Sequence, residues 1–125
     1  TGAFTDTNPL TYNMAMVGVG SDASDTNFHI YHSSGGVATK IDTGFPKNTA
    51  DATEMYELQL YAQKGRGGRV DYQFTRMSDG DSVSGSITTN MPSNTQMLAP
   101  RGNMSVGGTL SVIGYSFAGF WCDDG

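Results

Sequence analysis

The feature that most constrains the fold is an alternation of side chains on both sides of a glycine-rich stretch at residues 64–69. Before this stretch, apolar residues occupy every second position from Tyr56 to Ala62, and after it they do so again from Val70 to Phe74. A period of two on both sides of a glycine turn predicts a β-hairpin with one buried face. We therefore expect an antiparallel β protein, in which functional residues lie on loops and exposed strand faces.

Further strands are predicted along the chain, at residues 14–19, 28–32, 37–41, 83–87, 103–106 and 110–121. Segments 14–19 and 110–121 are apolar on both faces and are expected to be buried. An open single sheet would leave their apolar faces in water. The sequence therefore predicts an all-β, two-sheet antiparallel β-sandwich of jelly-roll type, forming one domain over residues 1–125. Because the chain starts at Thr1 without an initiator methionine, we expect it to be the C-terminal part of a longer polypeptide.

Composition excludes several classes of function. Charged residues make up 15% of the chain and the net charge is −5, whereas nucleic-acid binding needs clustered cations. The single cysteine, Cys122, excludes an intrachain disulfide and is expected to be a small buried hydrophobic residue. Because no apolar run approaches the ~20 residues of a membrane-spanning helix, we expect no membrane insertion. We expect no cofactor.

The ionisable residues do not form a recognisable catalytic pattern. Glu54 and Glu57 are the only glutamates, and a spacing of three on a strand directs them to opposite faces. His29 and His32 have the same spacing, so they are not expected to bind one metal ion together. Acidic pairs occur in two loops but lack the distal glutamate of a calcium loop, which favours turn-forming roles for Asp22, Asp25, Asp79 and Asp81. The sequence predicts neither an enzyme nor a metal site.

Two sets of residues are candidates for ligand binding. The first is the basic tip of the predicted hairpin, Lys64, Arg66 and Arg69, where glycines allow close approach and arginines match carboxylate or phosphate groups. An acidic envelope glycan or a lipopolysaccharide phosphate would suit this tip. The alternative, a solvated hairpin tip or a contact between subunits, is the interpretation that the sequence favours.

The second set consists of aromatic residues, Tyr31, Tyr61 and Trp121. Both tyrosines fall on the polar sides of their predicted strands, and exposed rings stack on the apolar faces of sugars. Subunit packing is the alternative, because aromatic residues are enriched at interfaces.

Five segments together resemble a domain found at the C-termini of structural proteins of tailed phages: residues 25–32, 38–42, 55–62, 90–101 and 104–109. Their order and spacing match over most of residues 14–121. The hairpin, polar loop and following strand are also similar to concanavalin A-like jelly rolls, although the metal-binding loop of plant lectins has no counterpart here.

The resemblance implies the outer domain of a tail fibre, spike or similar appendage on the virion surface. It also implies a homotrimer. Together with the basic tip and the aromatic residues, it leads us to expect a domain that contacts other virion proteins and attaches, without catalysis, to a host surface glycan. Two alternatives stay open. One is a capsid-decorating or fibre-capping domain that binds no host molecule, and the other is a glycan-binding module of a secreted bacterial protein.

Overall fold

The computed structural model describes residues 9–47, 54–62, 67–100 and 102. After a short 3₁₀ turn at Pro9–Thr11, these residues form six strands: β1 (Ala15–Gly20), β2 (Asn27–Ser34), β3 (Thr39–Pro46), β4 (Tyr56–Tyr61), β5 (Val70–Arg76) and β6 (Ser82–Ile87). Sheet A has the order β1-β2-β3 and sheet B the order β4-β5-β6. All four strand pairs are antiparallel. None of the described residues lies in an α-helix, and so none forms a helix long and apolar enough to cross a membrane.

The two sheets pack face to face through aromatic side chains. Phe28 and Phe45 project from sheet A, and Tyr56 and Phe74 project from sheet B. The Tyr56 and Phe74 rings are stacked with their centroids 5.1 Å apart, and Phe28 contacts both rings edge-on at 5.1 and 5.8 Å. Phe45 meets the same two rings at 6.0 and 5.9 Å. We call these four residues the aromatic layer. Its contacts confirm the predicted all-β, two-sheet antiparallel sandwich.

Aliphatic residues extend the core beyond the aromatic layer. Ile30 and Ile87 are almost completely buried, with Val17, Ile41, Leu58 and Val83 packed around the core. Each sheet is a meander in which consecutive strands are neighbours. The six described strands therefore show the two packed layers that a jelly roll also has, with the strands of each layer connected as a meander.

The hairpin over residues 54–77 is confirmed, since β4 pairs with β5 from Tyr56 opposite Arg76 to Tyr61 opposite Asp71. The strand over residues 14–19 is present, but the expectation that it is buried is wrong. In sheet A, as described, β1 has β2 as its single neighbour, and Val19 is 40% exposed. An edge strand is covered on fewer sides than a central one. The strands predicted at 103–106 and 110–121 lie outside the described residues, as does Cys122.

Asn90 ties the chain after β6 back to sheet A. Its Oδ1 accepts hydrogen bonds from the Ser34 backbone N–H and hydroxyl, both at 3.1 Å. Its Nδ2 donates to the Val37 carbonyl at 2.9 Å and to Thr39 Oγ1 at 3.0 Å, and its carbonyl lies 2.9 Å from His32 Nδ1. The backbone here is left-handed, with φ 45°. Asparagine tolerates that conformation better than most residues.

Gly85 makes room for the Tyr72 ring. The two residues are opposite each other in the β5–β6 register, and a Cβ built on Gly85 would lie 2.6 Å from Tyr72 Oη and 2.8 Å from Cζ. Tyr72 is buried, so its ring has little freedom to move away.

We predict that Gly85→Ala destabilises the fold by about 1–3 kcal/mol, because the added methyl overpacks the core. The matched control is Gly18→Ala in β1, where nothing lies within 4 Å of the added Cβ. This control is expected to be neutral or to stabilise by up to about 1 kcal/mol. Urea denaturation measures both. Equal stabilities for the two variants would contradict the close approach of Tyr72.

A second prediction separates the two roles of Asn90. Asn90→Gly keeps the left-handed backbone but removes the side-chain hydrogen bonds, and is expected to destabilise by about 1–3 kcal/mol. Asn90→Ala adds backbone strain of about 1–2 kcal/mol to the same loss. Denaturation curves of the two variants give the difference directly. An alanine variant as stable as the glycine variant would argue against the left-handed conformation.

Candidate functional site

The outer surface of sheet B is a flat array of polar side chains. The strand register arranges them in three rows, with one residue from each strand in a row: Tyr61–Asp71–Ser86, Gln59–Gln73–Ser84 and Glu57–Thr75–Ser82. We call these nine residues the polar face. Most of the alternate residues of the same strands pack in or against the core, whereas Leu60 near the end of β4 is 45% exposed. The period-two pattern therefore places an apolar face and a polar face back to back.

An exposed aromatic ring stands at one end of the polar face. Tyr61 is 64% exposed and lies opposite Asp71. The Arg69 Nε donates to Asp71 Oδ1 at 2.8 Å, and the Ser86 hydroxyl donates to the same oxygen. These hydrogen bonds, from Ser86 first and then from Arg69, hold the pKa of Asp71 below its usual value. We call Tyr61, Arg69, Asp71 and Ser86 the Tyr61 corner.

The middle of the polar face offers polar groups to solvent. Gln59 Nε2 donates to Glu57 Oε1 at 3.1 Å along the same strand. Within the described part of the chain, the side chains of Gln73 and Ser84 have no hydrogen-bond partner, and both are exposed. Amide and hydroxyl groups in such a setting are available to a ligand that carries many hydroxyl groups.

The structure brings together some of the residues predicted from the sequence and separates others. Tyr61 and Arg69 lie at the same end of the β4–β5 hairpin, as expected. Lys64, Arg66 and Trp121 lie outside the described residues.

The expectation that Tyr31 presents an exposed ring is wrong. The residue is only 3% exposed, and it lies on the outer surface of sheet A rather than sheet B. The loop between β1 and β2 folds over that surface, and Tyr31 Oη donates to Asp25 Oδ2 in this loop at 3.0 Å. Strand alternation places Tyr31 on the outer side of its strand, which predicts an exposed ring. It gives no indication that a loop covers this ring and that only the hydroxyl has a polar partner.

Asp25 is the centre of a second polar cluster, on sheet A. In addition to Tyr31, its carboxylate accepts a 2.6 Å hydrogen bond from Lys40 Nζ and a 2.9 Å bond from the Asp22 backbone N–H. His29 Nδ1 lies 3.4 Å away. The Asp25 side chain is only 7% exposed. These contacts hold the β1–β2 loop against the sheet.

The pKa of Asp25 reflects this environment. Burial opposes ionisation and would raise the pKa, but the hydrogen bonds from Lys40, Asp22 and Tyr31 and the proximity of His29 outweigh it, so that the pKa falls from 3.8 to about 2. The pKa of Tyr31 moves upward, because burial and the neighbouring Asp25 carboxylate both disfavour the phenolate. Both shifts keep the cluster in its hydrogen-bonded state at neutral pH.

The remaining acidic candidates have structural partners. Arg76 forms ion pairs with Asp79 at 2.7 Å and Asp81 at 3.5 Å in the β5–β6 turn. The Glu54 carboxylate accepts a hydrogen bond from the Ser78 hydroxyl at 2.7 Å. Over the described ranges, no group of three or more His, Cys, Asp or Glu residues is arranged to hold a metal ion.

Sequence reasoning assigned no function to the β6 serines and missed the hydrogen bonds of Asn90. The serines alternate with Val83, Gly85 and Ile87. This pattern predicts which face of the sheet the serines lie on, but not which residues of β5 lie beside them. Asn90 carries no local signal beyond the tolerance of asparagine for left-handed backbone.

Comparisons with protein-family models, with curated proteins and with solved structures find no match to this chain. The functional argument therefore depends on the geometry of the site.

We predict an acid-dependent loss of stability that Asp25 controls. Its folded-state pKa lies below the ordinary value, so the ionised carboxylate stabilises the fold above pH 3.8, and this stabilisation is lost as the pH falls from 3.8 towards 2. The expected contribution is about 2 kcal/mol. Denaturation at a series of pH values between 2 and 7 measures it.

Asp25→Asn is expected to lower stability at pH 7 and to flatten this part of the profile. Asp22→Asn in the same loop is the control, because the Asp22 carboxylate accepts an exposed 3.3 Å hydrogen bond from the Ser24 N–H and the substitution keeps the Asp22 backbone N–H that donates to Asp25, so it should lower stability at pH 7 by less than Asp25→Asn. A profile for Asp25→Asn as steep as that of the unmodified protein would contradict the assignment. The pKa values of the exposed carboxyls Asp42, Asp71 and Asp79 are also lowered. Because all three proteins contain these groups, their contribution cancels in the comparison.

Proposed function

We propose that this chain is a non-enzymatic binding module that attaches to carbohydrate through the polar face of sheet B. The observation that carries the proposal is the Tyr61 corner, where a 64% exposed ring stands beside a carboxylate held in place by an arginine and a serine. A large exposed aromatic ring next to oriented polar groups contributes little to the core of the protein, but it can contact a ligand.

Carbohydrate suits this arrangement chemically. A sugar ring has an apolar face of C–H groups that packs on an aromatic ring, and its edge carries hydroxyl groups that both donate and accept hydrogen bonds. The Asp71 carboxylate accepts from hydroxyl groups, and the exposed Arg69 guanidinium donates to them. The amides of Gln59 and Gln73 do both.

The spacing of the carboxylates supports binding rather than hydrolysis. Glu57 and Asp71 lie two rows apart, which corresponds to four residues along a strand, or ~13 Å. Glycosidases place their two carboxyl groups about 5–9.5 Å apart. The pair on the polar face is too widely separated for that chemistry.

The wider setting is proposed on the sequence resemblance to phage appendage domains. In that setting the module would lie on the outside of a virion and attach it to a host surface glycan. A homotrimer would present three polar faces, and linked weak sites gain about 10²–10⁴ in avidity. The test is to measure binding of the labelled protein to bacterial cells before and after their surface polysaccharide is removed. Binding that disappears with the polysaccharide would support the proposal.

One observation favours a second candidate, a purely structural role in an assembly. Met97 is 99% exposed and Leu98 is 59% exposed on the segment that follows Asn90. Exposed apolar residues of this kind are used at protein–protein contacts. If Met97→Ser/Leu98→Ser abolishes self-association while cells and glycans are never bound, the structural role is the better account.

We predict that Tyr61→Ala weakens glycan binding by about 1 kcal/mol, or roughly fivefold, because the stacking platform is lost. Tyr61→Phe keeps the ring and should retain most of the affinity. Isothermal titration calorimetry with a bound oligosaccharide measures both variants.

Val37→Ala is the matched control, since Val37 is 81% exposed but lies in the β2–β3 turn of the other sheet. Its affinity should equal that of the unmodified protein. Unchanged binding by Tyr61→Ala would remove the Tyr61 corner from the site.

A further inference from the structure

The charges on the polar face indicate which carbohydrates it can accept. Glu57 and Asp71 contribute two carboxylates. Among the described residues, Arg69 is the cation beside this face, and its Nε is already paired with Asp71. The low pKa of Asp71 keeps this carboxylate ionised at neutral pH. The described residues of the face therefore carry no excess positive charge with which to attract an anionic sugar.

The dimensions of the face indicate the length of the ligand. Its three rows span ~13 Å along the strands, and its three strands span ~10 Å across. A single sugar ring on Tyr61 would leave the rows of Gln73 and Thr75 uncovered. A chain of several sugars running along the strands would contact all three rows.

The central row is uncharged. It consists of Gln59, Gln73 and Ser84, whose amide and hydroxyl groups match sugar hydroxyls. A carboxylate or sulfate on the ligand would lie between Glu57 at one end and Asp71 at the other. Juxtaposition of like charges in this way is unfavourable and typically decides specificity.

We infer that the polar face selects uncharged oligosaccharides and rejects anionic ones, because its central row is uncharged and a carboxylate lies at each end. This inference rests on the proposed function. This differs from the expectation drawn from the basic hairpin tip, whose partner was an acidic glycan or a phosphate. Arg69 belongs to both the predicted basic tip and the Tyr61 corner, but the two sets of residues are proposed to favour ligands of different charge.

The test compares uncharged and anionic oligosaccharides of equal length. Maltohexaose, cellohexaose and mannohexaose are the uncharged probes, and hexamers of galacturonate and of alginate are the anionic probes. Calorimetry on the full chain at low and at physiological salt gives the affinities. We expect at least one uncharged hexamer to bind about tenfold more tightly than either uronate, and to bind more tightly than its monosaccharide.

Salt and charge variants show whether repulsion is the cause. Added NaCl should strengthen uronate binding towards that of the uncharged probes, because it screens the carboxylates, and should leave uncharged binding unchanged. Glu57→Gln, which leaves the Tyr61 corner intact, should improve uronate binding severalfold. Gln73→Ala should weaken binding of the uncharged hexamer, whereas Lys64→Ala/Arg66→Ala at the basic tip should leave it unchanged.

The outcomes distinguish the inference from the proposed function. If the folded protein binds a uronate more tightly than every uncharged probe, the inference is wrong and carbohydrate binding stands. If that preference also disappears in Lys64→Ala/Arg66→Ala, the basic tip is the binding site. If no probe and no host polysaccharide binds, the proposed function fails and the inference fails with it.

Discussion

The contact between the two sheets through the aromatic layer is the interaction on which the rest of the structure depends. A three-stranded meander by itself would leave its apolar face in water, and covering that face with a second sheet is what buries it. Phe74 is almost completely buried and contacts Tyr56, Phe28 and Phe45. Arg76 adds a cation–π contact, with its guanidinium carbon 5.1 Å from the centre of the Phe45 ring. With no disulfide among the described residues, this layer and the aliphatic residues around it hold the sandwich together.

Each sheet then uses its outer surface differently. In sheet A, the β1–β2 loop covers the outer surface and buries Tyr31 and His29 around the Asp25 carboxylate. Lys47 strengthens this cover by donating to the Asp22 and Ala23 carbonyls at 3.0 Å. In sheet B, the β5–β6 turn is a compact structure over residues 76–81 closed by backbone hydrogen bonds, and among the described residues the outer side chains Gln59, Gln73 and Ser84 are exposed. The difference between the sheets is therefore the β1–β2 loop, which folds back over sheet A, whereas the β5–β6 turn does not fold back over sheet B.

The sequence predicted those parts of the fold that depend on local periodicity. The β4–β5 hairpin follows from alternation around glycine, and the two-sheet sandwich follows from the number of strands with an apolar face. Tyr61 was singled out for the same reason, since it lies on the polar side of its strand, whereas Arg69 was singled out as part of the basic tip. The environment of Tyr31 was not predictable in this way, because it depends on a loop folding over the sheet and on Asp25 six residues away along the chain. The Asn90 hydrogen bonds join positions more than fifty residues apart and leave no periodic signal.

The back-to-back arrangement of β5 has a consequence for how such a protein can diversify. Tyr72 and Phe74 face the core, whereas Asp71, Gln73 and Thr75 between and beside them face outward. Substitutions at the outward positions change the surface chemistry of the sheet without opening a cavity, and the inward positions preserve the scaffold while this happens. Selection can therefore act on every second residue of a strand, and the fold tolerates rapid change in the chemistry of its outer surface.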